Sequence, residues 1–324
     1  MDVLIVEPVA AEVERWLSAR HVVRLAPELA TDPAGFRLAL TKARAAILPP
    51  SVALDADALW HAPHLRVVGR LSAGVENIDM DACARAGVEV ARAGGASAAA
   101  EAEFVVGAML ALLRRVPIIN EEGLLVGREL GGCVVGLVGA TPTMGQLAQL
   151  LSAFGAQVLG YDPGVHAEDP SWAQAGVRPV GLLQLMQDSD AVCVLLNHYQ
   201  RYNGLFGRRV LGAAKPDQVI VSLAFSQLFD EAALAEALRS GQLAAAWLDS
   251  VEPGALDAGR PLCHLDTLQV TPRVAGTTKE SRLRCAWAVA LRIDDILRAA
   301  PPRSALSAAP PDRSAGPVDV PTPA

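Results

Sequence analysis

Val134-Val135-Gly136-Leu137-Val138-Gly139-Ala140-Thr141-Pro142-Thr143-Met144-Gly145 decides the fold of this chain. An apolar run suited to a buried strand enters a glycine turn, and Gln146–Phe154 then carries the apolar spacing of an amphipathic helix. Strand, tight turn and helix together form the setting in which backbone N–H groups at a helix start cradle a pyrophosphate. A second strand-like run, Gln157–Tyr161, ends at Asp162. That is about 20 residues on, where an acid contacts an adenosine ribose. A carboxylate there favours NAD over NADP, whose 2′-phosphate it repels. The loop departs from G-x-G-x-x-G in two ways. Thr141 stands at the second glycine, and Gly139 and Gly145 are six positions apart where the pattern has five. The hydroxyls of Thr141 and Thr143 are candidate phosphate donors in place of bare backbone. Gly139, Met144, Gly145 and Asp162 complete the cofactor-binding candidates of this stretch. Weakened or lost NAD binding is the competing reading.

Outward from this loop, strand-like and helical patterns alternate, which argues for βα units and parallel sheets. Before it, strand-like runs cover Val3–Val6, Ala45–Leu48, Val67–Leu71 and Val88–Val90, with helical stretches at Ala10–Ser18, Gly35–Lys42 and Met80–Ala86. A long helix over Ala98–Arg115 is acidic at its start and basic at its end, as the helix dipole prefers. After the loop come runs at Ala191–Leu196, Val219–Leu223, Ala244–Leu248 and Leu268–Thr271, then a helix over Lys279–Leu297. These runs lack polar alternation, as strands covered on both faces do. Pro301–Ala324 is rich in Pro, Ala and Ser and reads as a disordered tail.

With 324 residues the chain has room for two domains at roughly 150 residues each. Apolar residues at 52% supply two cores, and a net charge of −7 argues against a nucleic-acid partner. The start lacks the basic segment of a signal peptide, and the strongly apolar stretch Phe104–Leu113 is too short for a bilayer. A cytoplasmic protein with no membrane partner is expected. The five cysteines are scattered without a C-x-x-C pair, and the histidines lack ligand spacing, so neither disulfides nor a metal site is expected.

A set of ordered motifs resembles the D-isomer-specific 2-hydroxyacid dehydrogenases over roughly residues 40 to 300. Gly74-Val75-Glu76-Asn77-Ile78-Asp79, Ala102-Glu103, Glu129-Leu130-Gly131, Gly160-Tyr161-Asp162-Pro163, Lys215-Pro216, Asp230-Glu231-Ala232-Ala233-Leu234, Leu248-Asp249, Glu252-Pro253 and Thr271-Pro272 follow the family's order. The resemblance implies an α/β protein of two Rossmann-like domains with doubly wound parallel sheets. The substrate domain, 1–98 plus 280–300, would be discontinuous, with the dinucleotide domain, 99–279, inserted and 301–324 as tail. It also implies a homodimer, NAD(H) as cofactor, and a small substrate in the cleft between domains, near Ser72, Ala73, Gly74 and Ser97. Asn197, Ala224, Asp249 and Gly276 fall at cofactor-contacting positions, Asp249 at the one that meets the nicotinamide amide.

The family's catalytic residues are changed. Its substrate-binding arginine, in N-T-A-R-G, corresponds to Phe225 in Ser222-Leu223-Ala224-Phe225-Ser226. Its general acid/base histidine, in T-P-H, corresponds to Arg273. The glutamate that raises the histidine's pKa is retained as Glu252. Phe225 cannot pair with a carboxylate, and a guanidinium cannot exchange protons near neutral pH. Arg273 is therefore expected either to anchor an anion or to pair with Glu252. His198, Tyr199 and Tyr202, on a loop after a strand end, are candidate replacements for the lost proton donor; the competing view has His198 pointing to solvent and the tyrosines packing a domain interface. Three functions remain open at this point: an NAD-dependent oxidoreductase with an altered substrate, a fold repurposed for non-redox chemistry, and a non-catalytic nucleotide- or ligand-binding protein.

Overall fold

A computed structural model describes residues 1–72, 74–114, 127–197 and 199–299. The expected tail lies outside the described residues. The chain forms two units. One contains Met1–Arg70 and Gly74–Ala91 and resumes at Ala290; the other is built on Arg92–Val289. The changeovers fall at 92 and 290, beside the expected 99 and 280, so the long helix after the first crossing lies wholly in the second unit.

The first unit is a five-stranded sheet of β1 (Val3–Ile5), β2 (Val23–Leu25), β3 (Ala45–Ile47), β4 (Val67–Arg70) and β5 (Glu89–Arg92), in the order β2-β1-β3-β4-β5. β1 runs parallel to β2 and β3, and β3 to β4. Four helices connect the strands: α1 (Ala11–Ser18), α2 (Pro33–Leu40), α3 (Ala56–Trp60) and α4 (Met80–Ala86). Three of them start on an aspartate whose carboxylate accepts a backbone N–H of the first turn: Asp32 from Gly35, Asp55 from Ala58 and Asp79 from Ala82. The final residue of the Gly74–Asp79 motif is thus a helix cap.

The second unit begins with α5 (Ala98–Leu113) and holds seven parallel strands: β6 (Val134–Val138), β7 (Gln157–Tyr161), β8 (Arg178–Pro179), β9 (Ala191–Val194), β10 (Gln218–Ser222), β11 (Leu243–Leu248) and β12 (Leu268–Val270). Their order, β12-β11-β10-β9-β6-β7-β8, reverses direction between β6 and β9. Such reversals leave a crevice at the carboxyl ends of the strands, where ligands bind. Between strands lie α6 (Pro142–Ala153), α7 (Pro170–Gln174), α8 (Leu182–Asp188), α9 (Arg208–Leu211) and α10 (Glu231–Arg239); α11 (Lys279–Ala299) closes the described chain.

The central strands explain their own apolar composition. Val135, Leu137, Ala191, Cys193, Val219 and Val221 pack into one core with α5 and α6. Their neighbours Val138, Val192, Val194 and Ile220 pack into another with α8 and α10. With side chains alternating between two buried faces, strand interiors are apolar, and the buried Gln218 at the start of β10 is accommodated by donating to the Met186 and Ser189 carbonyls. Cys133 and Cys193 belong to this packing, and the cysteines Cys83, Cys133, Cys193, Cys263 and Cys285 are all free thiols. Burial, reinforced by Asp79, pushes the Cys83 thiol up to about 11, far from a reactive thiolate. Among the described residues no helix is long and apolar enough to cross a membrane.

Candidate nucleotide and substrate site

Gly139 sits where β6 passes the end of β9. Its φ is +115°, and a Cβ there would lie 2.6 Å from the Leu196 backbone nitrogen. Only glycine fits. The chain then turns immediately into α6. Thr141 is the extended residue before the helix and Pro142 opens it, the position where proline's fixed φ and missing N–H cost nothing. This corrects the expected helix start at Gln146 and removes the need for an extra loop residue. Counted from Gly139 without insertion, the third glycine of the pattern falls on Met144, which is buried in the α5–α6 core. Gly145 is an ordinary helix position with open space where its Cβ would be.

The two threonines differ. The Thr143 hydroxyl is turned inward, donating to Glu101 Oε2 at 2.5 Å, while Ser97 Oγ donates to Glu101 Oε1 at 2.7 Å. Both Thr143 and Ser97, offered by sequence to phosphate and substrate, are thus committed to one carboxylate on α5. Gly276 approaches the same group: a Cβ there would be 3.4 Å from Glu101 Oε1. The Thr141 hydroxyl makes no capping bond, and its oxygen is buried without a partner. An orphaned hydroxyl at a helix start is a ready donor for a ligand phosphate.

Asp162 is fixed from both sides. Ala140 N donates to its Oδ2 at 2.8 Å and Gly164 N to its Oδ1 at 2.7 Å. Each carboxylate oxygen has two acceptor sites, so ribose hydroxyls can still be received. A hollow of about 420 Å³ opens beside it, between Tyr161, Pro163, Trp172 and Val180. Burial, with Asp162 and Tyr202 adding to it, raises the Tyr161 phenol above its ordinary pKa, so it stays neutral against this hollow. The glycine turn, the Thr141 hydroxyl, the Asp162 carboxylate and the hollow together fit NAD.

A second hollow, of about 440 Å³, lies beyond β10, β11 and β12. Its walls include Phe225, Ser250, Val251, Glu252, Val270 and Arg273. Arg273 has a left-handed backbone, φ +57°. Its guanidinium lies 4.1 Å from the Phe225 ring centroid, and Nε donates to Ser250 Oγ at 3.1 Å. Glu252 takes different partners: its carboxylate accepts from Gln227 Nε2, and its backbone N–H donates to Ser226 Oγ at 3.1 Å. Of the two roles expected for Arg273, this arrangement turns it toward the aromatic wall and Ser250, while Gln227 serves Glu252.

Asp249 has a role that the sequence reading missed. It is 4% exposed. Thr271 Oγ1 and Val274 N donate to its Oδ1 at 2.6 and 2.9 Å, and Ala275 N to its Oδ2 at 2.9 Å. The Arg273 N–H donates to the Asp249 carbonyl. Asp249 clamps the turn that carries Arg273 and holds its strained φ. Trp247 extends the network, its Nε1 donating to Thr271 Oγ1.

The proposed proton donors fall elsewhere. Tyr199 and Tyr202 meet edge to face at 5.8 Å, and Arg201 stacks on both while donating to the Tyr202 hydroxyl at 2.9 Å. Neither tyrosine lines the Arg273 hollow. Asn197 is exposed beyond the end of β9, and Ala224 is buried after β10. His198 lies outside the described residues, as does Ala73. Ser72 is grouped with the second unit and Gly74 with the first. The Gly74 carbonyl accepts from Arg70 Nε at 3.2 Å. Arg70 is 1% exposed; its Nη1 donates to the Leu48 carbonyl, and Glu7 stands 4.0 Å away. Burial lowers its pKa, with Glu7 and Glu76 acting against the shift. An arginine ending an apolar strand was the sequence signal for it. Among the described residues no three His, Cys, Asp or Glu side chains converge as a metal site.

The sequence profile of the D-isomer specific 2-hydroxyacid dehydrogenase, NAD binding domain, matches residues 106–275. A D-3-phosphoglycerate dehydrogenase of Archaeoglobus fulgidus is 30% identical over 95% of this chain, which spans 59% of that protein. An (S)-sulfolactate dehydrogenase of Chromohalobacter salexigens is 32% identical over 90% of this chain and 95% of its own length. The crystal structure of TT0316 protein from Thermus thermophilus covers 93% of this chain and 98% of its own, with a TM-score of 0.76 at 25% identity. Parallel sheet order, glycine turn and anchored Asp162 agree with these matches, and the chain belongs to the D-isomer specific 2-hydroxyacid dehydrogenase family, with NAD as its cofactor.

Proposed function

We propose that this protein is an NAD-dependent oxidoreductase that acts on a small carboxylate other than the simple 2-keto and 2-hydroxy acids. The position of Arg273 carries the reading: it brings a guanidinium to the Phe225 wall from the neighbouring strand loop. Arg273 anchors the substrate carboxylate in the second hollow, and Phe225 forms the apolar floor beneath it. Bound NAD supplies two-electron redox chemistry. Gly139 and the first turn of α6 receive its pyrophosphate, the Thr141 hydroxyl donates to it, and Asp162 receives the adenosine ribose. Asp249 keeps the Arg273 turn in place. Glu252, held by Gln227, lines the same hollow. With a guanidinium at position 273, the inherited proton transfer to a ketone oxygen has no donor there.

Two measurements test this reading. Titration with NADH, followed by fluorescence, is expected to show saturable binding; none at millimolar NADH sinks it. Pyruvate and glyoxylate are expected to turn over poorly, and rates above roughly 1 per second refute the role given to Phe225 and Arg273. A second reading, a nucleotide- or ligand-binding protein without redox chemistry, is favoured by the commitment of Thr143 to Glu101 instead of to phosphate. NADH binding without turnover on any carboxylate would select it. We further assign a cytoplasmic homodimer, which light scattering after gel filtration tests for its stoichiometry.

A further inference from the structure

The second hollow holds both signs of charge. Arg273 supplies a guanidinium on the Phe225 ring, and Glu252 supplies a carboxylate steadied by Gln227. A 2-hydroxy or 2-keto acid brings one negative charge and a neutral oxygen. It satisfies Arg273 and sets its own charge against Glu252, and like charges brought together in a partly dry site cost affinity. A 2-amino acid brings, on the carbon beside its carboxylate, a cationic nitrogen. So does the 2-iminium acid that results when an amino acid loses hydride and a proton. That nitrogen matches Glu252 as the carboxylate matches Arg273. An iminium also arrives with its proton already in place, so position 273 has nothing to donate. Phe225, Val251 and Val270 leave room for an apolar side chain. We propose, resting on the anchoring role of Arg273 given above, that this hollow selects zwitterionic 2-amino or 2-imino acids with apolar side chains, with the carboxylate on Arg273 and the cationic nitrogen on Glu252.

Leucine and 2-hydroxy-4-methylpentanoate share a carboxylate and an apolar body and differ in ammonium against hydroxyl. Both enantiomers of each are titrated calorimetrically into the full chain with NADH present, where neither compound has an oxidant. One leucine enantiomer is expected to bind about tenfold tighter than either hydroxy acid, the difference of one charge-assisted contact. Glu252→Gln is expected to erase that preference, and Arg273→Met to weaken both ligands. A hydroxy acid that binds as tightly as leucine, or a preference that survives Glu252→Gln, overturns the zwitterion assignment. If Arg273→Met still weakens both ligands in that case, the carboxylate anchor stands. If Arg273→Met changes neither ligand, or neither binds the unaltered protein, both proposals fall. Should Glu252→Gln fail to fold, as its thermal melt would show, the comparison on the unaltered protein decides alone.

Discussion

The guanidinium of Arg273 stacks 4.1 Å from the centre of the Phe225 ring, and both residues line the hollow proposed to receive the substrate. On the sequence resemblance, Phe225 would correspond to the family's arginine and Arg273 to its histidine. In space, a cation still stands against position 225, delivered from the turn after β12 instead of the loop after β10. On our proposal, the pair Phe225→Arg with Arg273→His would restore both anchor and proton donor. Reduction of pyruvate or glyoxylate, followed as NADH consumption, is expected to rise about 100-fold over the unaltered protein, the scale of general acid catalysis. Equal rates in the two proteins would mean that these substitutions do not explain the departure from the family.

Asp249 makes that turn possible. It receives one hydroxyl and two backbone N–H groups while 4% exposed. Asp249→Ala removes the acceptor of all three donors and leaves the buried Ala275 N–H unsatisfied, at about 1–3 kcal/mol for that group. The denaturant midpoint is expected to fall, and carboxylate binding at Arg273 to fall with it. A variant with unchanged midpoint and unchanged binding would show that Asp249 holds nothing.

Much of the fold was legible because the central strands are buried on both faces and are mostly apolar, with Gln218 and Ser222 only at the two ends of β10. β2 and β8 were not. Val23–Leu25 is partly exposed and interrupted by Arg24, and Arg178–Pro179 is a two-residue edge that leaves no periodicity to detect. The site divided along the same line. Asp162, Phe225 and Arg273 could be placed by their order in the chain. The clamp at Asp249, the diversion of Thr143 by Glu101 and the pairing of Gln227 with Glu252 join residues 22 to 42 positions apart. No local spacing records such contacts, and only the tertiary fold brings them together. Tyr199 and Tyr202 were singled out for their loop position; Arg201 stacks on both rings, and Tyr202 also packs against the core beneath β9 and β10.

Asp190 offers a pH test remote from the hollows. It accepts from Lys215 Nζ and Arg128 Nη2 at 2.7 Å each and from the Val134 backbone N–H at 2.8 Å. Burial alone pushes its pKa up, but these donors together outweigh burial and hold it below the ordinary 3.8. A depressed carboxylate stabilises the fold fully at pH above that ordinary value and loses the contribution as pH falls through its folded pKa. Asp190→Asn is expected to be less stable than the unaltered protein near neutrality, with the gap closing below pH 3.8. A gap that stays constant across that range would assign the effect to packing.

The two glycines bracketing the start of α6 should respond in opposite directions. At Gly139 an alanine must adopt φ +115° and push its Cβ to 2.6 Å from the Leu196 backbone nitrogen, and neither strand end can yield without breaking the sheet. Strain of that kind costs about 1–3 kcal/mol from the dihedral alone, before the clash. Gly139→Ala is expected to lower the melting temperature and to abolish NADH binding, because the turn that receives the pyrophosphate moves. At Gly145 an alanine meets open space inside a helix. Removing a helical glycine there gains about 0.5–1 kcal/mol. Gly145→Ala is expected to raise the melting temperature and leave NADH affinity unchanged. If Gly145→Ala abolishes binding as Gly139→Ala does, Gly145 is the working third glycine after all and Met144 is not its counterpart.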